Sequence, residues 1–309
     1  MQNCVRSERE LVLSKRWLLQ EKLKRMSNKA IQLIECPRDA IQGIHDFIPT
    51  TKKVAYINQL IDSNFFYCID FGSFVSPKAV AQMQDTEQVL AGIEKKNETK
   101  LLAIIVNERG AEIAKPMDKI DFLGYPFSIS ETFQRRNANS TIAESFQRVE
   151  QIKNITASGK QEIVIYISMA FGNPYRDPWN TDLVLKWIEE LSELGIFRFS
   201  IADTTSEASP ESIRRLLTLI TNTFPALEFR VHLHSKEENA LSKIEAAYDA
   251  GCRIFEGAIM GYGGCPFAQN DLVGNIPTEM LLRRFKNVEN EHTTQALLEG
   301  FQEMILFKK

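Results

Sequence analysis

Residues 196–234 read IFRFSIADTTSEASPESIRRLLTLITNTFPALEFRVHLH. An apolar run rich in Ile and Phe leads to Ser209-Pro210, an amphipathic stretch follows as far as Phe224, and a second apolar run closes on His234. Ser and Pro at that place are helix start signals. Apolar runs with little strict alternation suit strands of a parallel sheet covered on both faces. The stretch therefore predicts strand, helix, strand. Working outward, the same kind of run recurs six more times: IQLIECP from Ile31, FFYCIDFG from Phe65, LLAIIVN from Leu101, IDFLGYP from Ile120, IVIYISMA from Ile163 and RIFEGAI from Arg253. Between the runs lie further helical patterns, among them TKKVAYINQLIDS from Thr51, SPKAVAQMQDTEQVLAGIEKK from Ser76, TIAESFQRVEQIKNITASG from Thr141, PWNTDLVLKWIEELSELG from Pro178 and KEENALSKIEAAYDAG from Lys236. Eight strand-helix units in a chain of 309 residues predict an α/β fold, a (β/α)8 TIM barrel. An open doubly wound sheet is the alternative, but no GxGxxG follows the first strand to support it. Residues 1–28 precede the first strand and read as a charged helical extension. Residues 29–309 then form the barrel domain, with additional C-terminal helices closing it from Pro277 onward.

Composition narrows the function. With 44% hydrophobic and 25% charged residues, the chain has the balance of a soluble globular protein with a sizeable core. A net charge of -3 gives no reason to expect nucleic acid or an anionic membrane as partner. A small-molecule substrate is the expectation instead. The five cysteines, Cys4, Cys36, Cys68, Cys252 and Cys265, are odd in number and contain no CxxC pair, which argues for a reducing cytoplasm. No apolar run reaches transmembrane length, and the N-terminal MQNCVRSERELVLSKRW carries charges of both signs where a signal peptide needs an apolar stretch.

A barrel builds its active site from the C-terminal ends of its strands and the loops beyond them. The polar residues collect there: Arg38 and Asp39 after the first run, Asp70 in the second, Asp203 in the sixth, His232 and His234 in the seventh, Cys265 and Asn275 after the eighth. His232 and His234 are two residues apart, so on a strand they share a face, where their imidazoles could share a metal ion. Cys265 adds a thiol on a Gly-Gly-Cys-Pro turn, and Asn275 offers an amide oxygen. Each has an ordinary reading when taken alone: Asp39 a helix cap, Arg38 its ion-pair partner, Asn275 a turn residue, Cys265 a packing residue. Together they are hard to explain by packing, because charges in apolar runs need a partner or a metal. His45 and His292 have no comparable company.

The motifs IECPRDAIQG from Ile34, DFGSFVSPK from Asp70, SISETFQRRN from Ser128, ISMAFGNPY from Ile167, ADTTSEASP from Ala202, VHLH from Val231 and GGCPFAQNDLVGN from Gly263 resemble the 3-hydroxy-3-methylglutaryl-CoA lyases, most closely their bacterial branch. These are metal-dependent (β/α)8 lyases, and the resemblance runs from about Lys29 to Glu279. It implies retro-Claisen cleavage of 3-hydroxy-3-methylglutaryl-CoA to acetyl-CoA and acetoacetate. It further implies a divalent cation, Mg2+ or Mn2+, held by Asp39, His232, His234 and Asn275, ligand types that zinc or cobalt also accept. Arg38 matches the family's catalytic arginine and Cys265 its catalytic cysteine. Asp70, Asp203 and His232 complete the implied catalytic set, and Arg38 with Gln42 the substrate-binding pair. An acyl-CoA substrate, a place in leucine breakdown and ketone-body formation, and a homodimer come with the resemblance.

Two departures stand out. Relatives commonly carry Glu where this chain has Asp70, a side chain shorter by one methylene. After Asp203 and Thr204 relatives often run through Gly-Val-Gly, whereas here the loop reads TSEAS, losing two positions tolerant of positive φ and adding the anion Glu207. The metal set and arginine would serve any enolate, so an isopropylmalate-synthase-like enzyme or a hydroxy-oxo-acid aldolase is the alternative; GGCPFA and FVSPK favour the lyase. A non-catalytic binding barrel is a third reading, against which the full metal set speaks.

Overall fold

The computed structural model describes residues 30–264, 273–286 and 291–306. The expected charged extension and Cys265 lie outside the described residues. In chain order the elements are β1 (Gln32–Glu35), α1 (Pro37–Ile41), α2 (Thr50–Asp62), β2 (Cys68–Ser73), α3 (Thr86–Gly92), β3 (Lys100–Ile104), α4 (Glu108–Ala114), β4 (Phe122–Ser128), α5 (Glu131–Ala138), α6 (Ile142–Thr156), β5 (Glu162–Ser168), α7 (Thr181–Glu193), β6 (Arg198–Asp203), α8 (Pro210–Thr223), β7 (Glu228–Leu233), α9 (Glu237–Asp249), β8 (Ile254–Gly257), α10 (Thr278–Phe285) and α11 (Glu291–Ile305). The eight strands pair in parallel in sequence order, and β8 returns to β1 to close the barrel. Each of the eight apolar runs forms one of these strands.

The helix of the opening stretch forms as its sequence dictates. Ser209 caps α8 by accepting a hydrogen bond from Ser212 N, Pro210 occupies the first turn, and Ile213, Leu216, Leu217 and Ile220 make one buried face. Burying side chains of this size contributes roughly 1.5–3 kcal/mol each. The pattern from Ser76 to Lys96 behaves differently, giving turns, a short 3-10 segment at Ala81–Met83 and only then α3. Two anchors break it. Thr86 Oγ1 donates to Ser73 O and Met83 O, and Asp85 receives Lys53 Nζ at 2.7 Å and Thr50 Oγ1 at 2.7 Å. Arg38 and Asp39 likewise lie not on β1 but in the single turn of α1, which Pro37 starts immediately after the strand.

The strand period of two sorts the barrel's faces. Ile34, Cys36, Cys68, Leu102, Ile104, Phe122, Val164, Tyr166 and Ile254 form one buried cluster, all of them even-numbered. Inward-facing residues thus share a parity, and odd-numbered strand residues face the helices. In β2 the register slips between Asp70 and Gly72, a bulge that turns Ser73 toward the cavity above the barrel. At the C-terminal end, α11 packs on α2 through Tyr56 and Phe301, with ring centroids 5.6 Å apart, and through Gln59 Nε2 donating to Ala296 O at 2.8 Å. These are the expected closing helices. No helix among the described residues is long and apolar enough to cross a membrane.

Candidate active site

The short helix α1 turns the chain back over the barrel mouth and brings Asp39 against β7. One donor atom each from Asp39, His232 and His234 lies within 4.8 Å of the others, and all three residues are buried. His232 is inward by parity on β7. His234 stands one residue past the strand end, where it bridges in antiparallel fashion to Asn275. Asn275 Nδ2 donates to Asp39 Oδ2 at 2.6 Å and to Tyr262 O at 2.8 Å, so the amide shares the same small volume. Gly263, with φ +100°, lets the chain pass over this cluster: a Cβ there would sit 2.6 Å from Asp39 O and 2.8 Å from Asn275 Nδ2.

Electrostatics suit a cation. Burial alone would raise the Asp39 carboxyl, but the Arg38 guanidinium and the two imidazoles outweigh it and hold the carboxyl at about 2. Burial, and then His232 beside it, depress His234 to about 4, so its imidazole is neutral near pH 7 with a lone pair to give. His234 Nδ1 is buried and has no hydrogen-bond partner. His232 is treated differently: Nδ1 faces Glu256 Oε2 at 3.0 Å, and Glu256 also accepts from Ser200 Oγ at 2.8 Å. Burial would lower His232, yet the carboxylate raises it, and this same contact fixes the Nδ1–H tautomer and leaves Nε2 as the donor atom. A carboxylate, two imidazoles and a neighbouring amide, with one imidazole nitrogen otherwise orphaned, fit a divalent metal.

Arg38 is gripped from two sides. Its Nε and Nη2 donate to Asp70 Oδ2 at 3.0 and 2.6 Å, and Nη1 donates to Asp39 Oδ1 at 3.1 Å and Gln42 Oε1 at 3.0 Å. Burial pushes Asp70 up to about 6 against the pull of Arg38. Gln42 Nε2 donates to Asp39 Oδ1 at 2.7 Å and to Gly264 O at 3.3 Å. Arg38, Asp39, Gln42, His232 and His234 line one cleft of about 370 Å3, whose outer part is made by Ser73, Asn107, Arg136 and Asn139 among others.

Asp203 stands apart from this group. It is odd-numbered on β6 and faces the helices, where its Oδ2 receives Lys243 Nζ at 2.7 Å and its Oδ1 receives Ala208 N at 3.0 Å. The expectation of Asp203 as an acid/base group of the site is corrected by this placement: its carboxylate is bound to a lysine behind the barrel wall. Glu256, by contrast, escapes a reading by residue type because it sits singly in the apolar run RIFEGAI. Its signal is parity, since it pairs in register with His232 across β7 and β8.

Comparison with known proteins agrees with this geometry. The HMGL-like family model matches residues 30–299. The chain is 31% identical over 253 residues to the hydroxymethylglutaryl-CoA lyase of Bacillus subtilis, covering 82% of this chain and 84% of that one. It is 34% identical over 257 residues to the cytoplasmic 3-hydroxy-3-methylglutaryl-CoA lyase of Danio rerio, covering 82% and 75%. Among solved structures, an HMG-CoA lyase from Acinetobacter baumannii in complex with coenzyme A and 3-methylmalate superposes with a TM-score of 0.82 at 28% identity, covering 91% of this chain and 92% of that one.

Proposed function

The chain belongs to the HMGL-like family, and we propose that it cleaves 3-hydroxy-3-methylglutaryl-CoA to acetyl-CoA and acetoacetate, using Mg2+ or Mn2+ in the cytoplasm. The observation that carries this is the buried convergence of Asp39, His232 and His234 at the barrel mouth, with Arg38 fixed beside them. Asp39, His232, His234 and Asn275 would hold the cation, which when bound lowers the pKa of the substrate's tertiary alcohol and polarises its carboxylate.

The chain's own residues supply the rest. In the retro-Claisen step the alcohol loses its proton, the carbon-carbon bond breaks, the alcohol carbon becomes the ketone of acetoacetate, and the electron pair moves into a thioester enolate. Arg38 presents a guanidinium to the enolate oxygen. Asp70 holds that guanidinium through two donors, so it arrives oriented and needs no rearrangement as charge develops. Gln42 ties Arg38 to Asp39 and reaches Gly264 O, linking the site to the start of the glycine loop. Cys265 follows that loop and is assigned proton transfer to the enolate carbon, which yields the acetyl-CoA methyl group. Glu256 keeps His232 in one tautomer and one orientation.

Substrate selectivity tests the proposal. Purified protein with Mn2+, offered 3-hydroxy-3-methylglutaryl-CoA, a 2-isopropylmalate-forming substrate pair and hydroxy-oxo acids, should act on the first alone. Turnover of one of the others with none of the first would replace the lyase by the related synthase or aldolase.

A further inference from the structure

Beyond the cleft wall, a buried lysine bears on the site without entering it. Lys243 lies on α9 with 4% exposure, and its ammonium meets three oxygens: Asp203 Oδ2 at 2.7 Å, His234 O at 2.8 Å and Ser206 Oγ at 3.0 Å. An ammonium has three protons and no acceptor, so all of its hydrogen-bonding capacity is used. The three acceptors come from three segments: the end of β6, the loop after it, and the exit of β7.

The His234 carbonyl is the informative acceptor. A buried backbone carbonyl needs a donor, and in a barrel the neighbouring strand normally provides it. Here the β6 ladder ends at Asp203 opposite Leu233, and the β8 ladder ends at Glu256 opposite His232. His234 is past both ends. Its carbonyl receives a side-chain donor from a helix instead. Ser206 belongs to the same device: its φ of +60° lies in the left-handed region that glycine enters more readily, and its hydroxyl is held by the same ammonium. A loop lacking glycine is thereby kept in a glycine-like turn, while Asp203 supplies the counter-charge that lets a lysine be buried there.

We propose that Lys243 is a positioning residue of the metal centre: by fixing the backbone of His234 against Asp203, it keeps the His234 imidazole aimed at Asp39 and His232. This rests on the metal set proposed above. Asp203 then acts through Lys243 and not on the substrate.

The test is Mn2+ affinity, measured by electron paramagnetic resonance on apo protein held well below its unfolding temperature, with thermal unfolding recorded in parallel. Lys243→Met should weaken Mn2+ binding by about tenfold or more, the range typical of outer-shell partners, in protein that is folded by circular dichroism. Asp203→Asn/Lys243→Met should be no weaker than Lys243→Met, because both residues act through one contact and their effects do not add. Lys243→Arg, which can still donate to the His234 carbonyl, should recover most of the affinity. If Lys243→Met fails to fold, the double variant, which buries no unpaired charge, takes its place with the same outcomes. Affinity within twofold of the parent in a folded variant overturns the proposal, whatever happens to the unfolding temperature. The parent and His234→Ala separate the two levels: a parent that does not bind Mn2+, or a His234→Ala protein that binds it as well, refutes the metal set itself.

Discussion

His232 Nδ1 lies 3.0 Å from Glu256 Oε2, and the two residues face each other in register across β7 and β8. One ring nitrogen is thus spent on a buried carboxylate and the other is left for the cluster. Glu256→Gln should weaken Mn2+ binding roughly 10–100-fold, as is usual when an outer-shell carboxylate is lost. Isothermal titration of apo protein with Mn2+ measures this, and an unchanged dissociation constant would show that the contact does not serve the metal.

Arg38 and Asp70 form a fork that a lysine cannot reproduce. Arg38→Lys should lower kcat by about 10²–10³-fold, the scale for losing one donor to a developing oxyanion, with Mn2+ affinity little changed. Asp70→Asn keeps the shape but loses the charge that orients the guanidinium, so it should lower kcat by a smaller factor. Steady-state kinetics beside Mn2+ titration tells this from a metal effect: a kcat loss that follows lost metal contradicts the assignment.

Glu35, odd-numbered on β1 and fully buried, receives Thr278 Oγ1 and Ile259 N. Burial pushes its carboxyl up to about 8 from an ordinary 4.5, against the lowering effect of those two donors. Between those values the folded protein holds a proton that the unfolded chain has released. Its contribution to stability is therefore full below about pH 4.5 and is lost as pH rises through about 8, at up to roughly 1.4 kcal/mol per pH unit. Glu35→Gln should remove that slope. Urea midpoints from pH 5 to 8 give the comparison, and parallel curves for parent and variant would show Glu35 to be ionised throughout.

Gly263→Ala places a Cβ within 2.6 Å of Asp39 O at a φ of +100°. Both the strain and the collision fall on a metal ligand. The variant should bind Mn2+ at least tenfold more weakly and lose on the order of 1–2 kcal/mol of stability. Wild-type affinity would mean that the loop relaxes away from Asp39 without cost.

The barrel was legible because each strand run is apolar, short and followed by helix signals, so the local periods alone separate eight units. The rim residues were legible by type and place, and His232 with His234 by spacing. What residue type does not carry is direction. Asp203 and His232 both end apolar runs, but they differ in parity relative to the barrel interior, and only the inward one reaches the cleft. Glu256 shares the inward parity and was overlooked because a single charge in RIFEGAI has no neighbour in sequence to mark it. The β2 bulge and the broken segment after Ser76 depend on Thr86, whose hydroxyl receives Ser73 N and donates to Ser73 O. That contact spans 13 residues and leaves no periodic trace.

Metal add-back tests metal-dependent cleavage at this site most directly. Protein stripped with a chelator is mixed with 3-hydroxy-3-methylglutaryl-CoA, and acetoacetate and acetyl-CoA are followed before and after Mn2+ is supplied. The expected result is no cleavage before addition and, after it, one molecule of each product per substrate consumed, with Asp39→Ala inert in both states. Cleavage at full rate in the stripped protein, or none with either Mn2+ or Mg2+, would contradict the account.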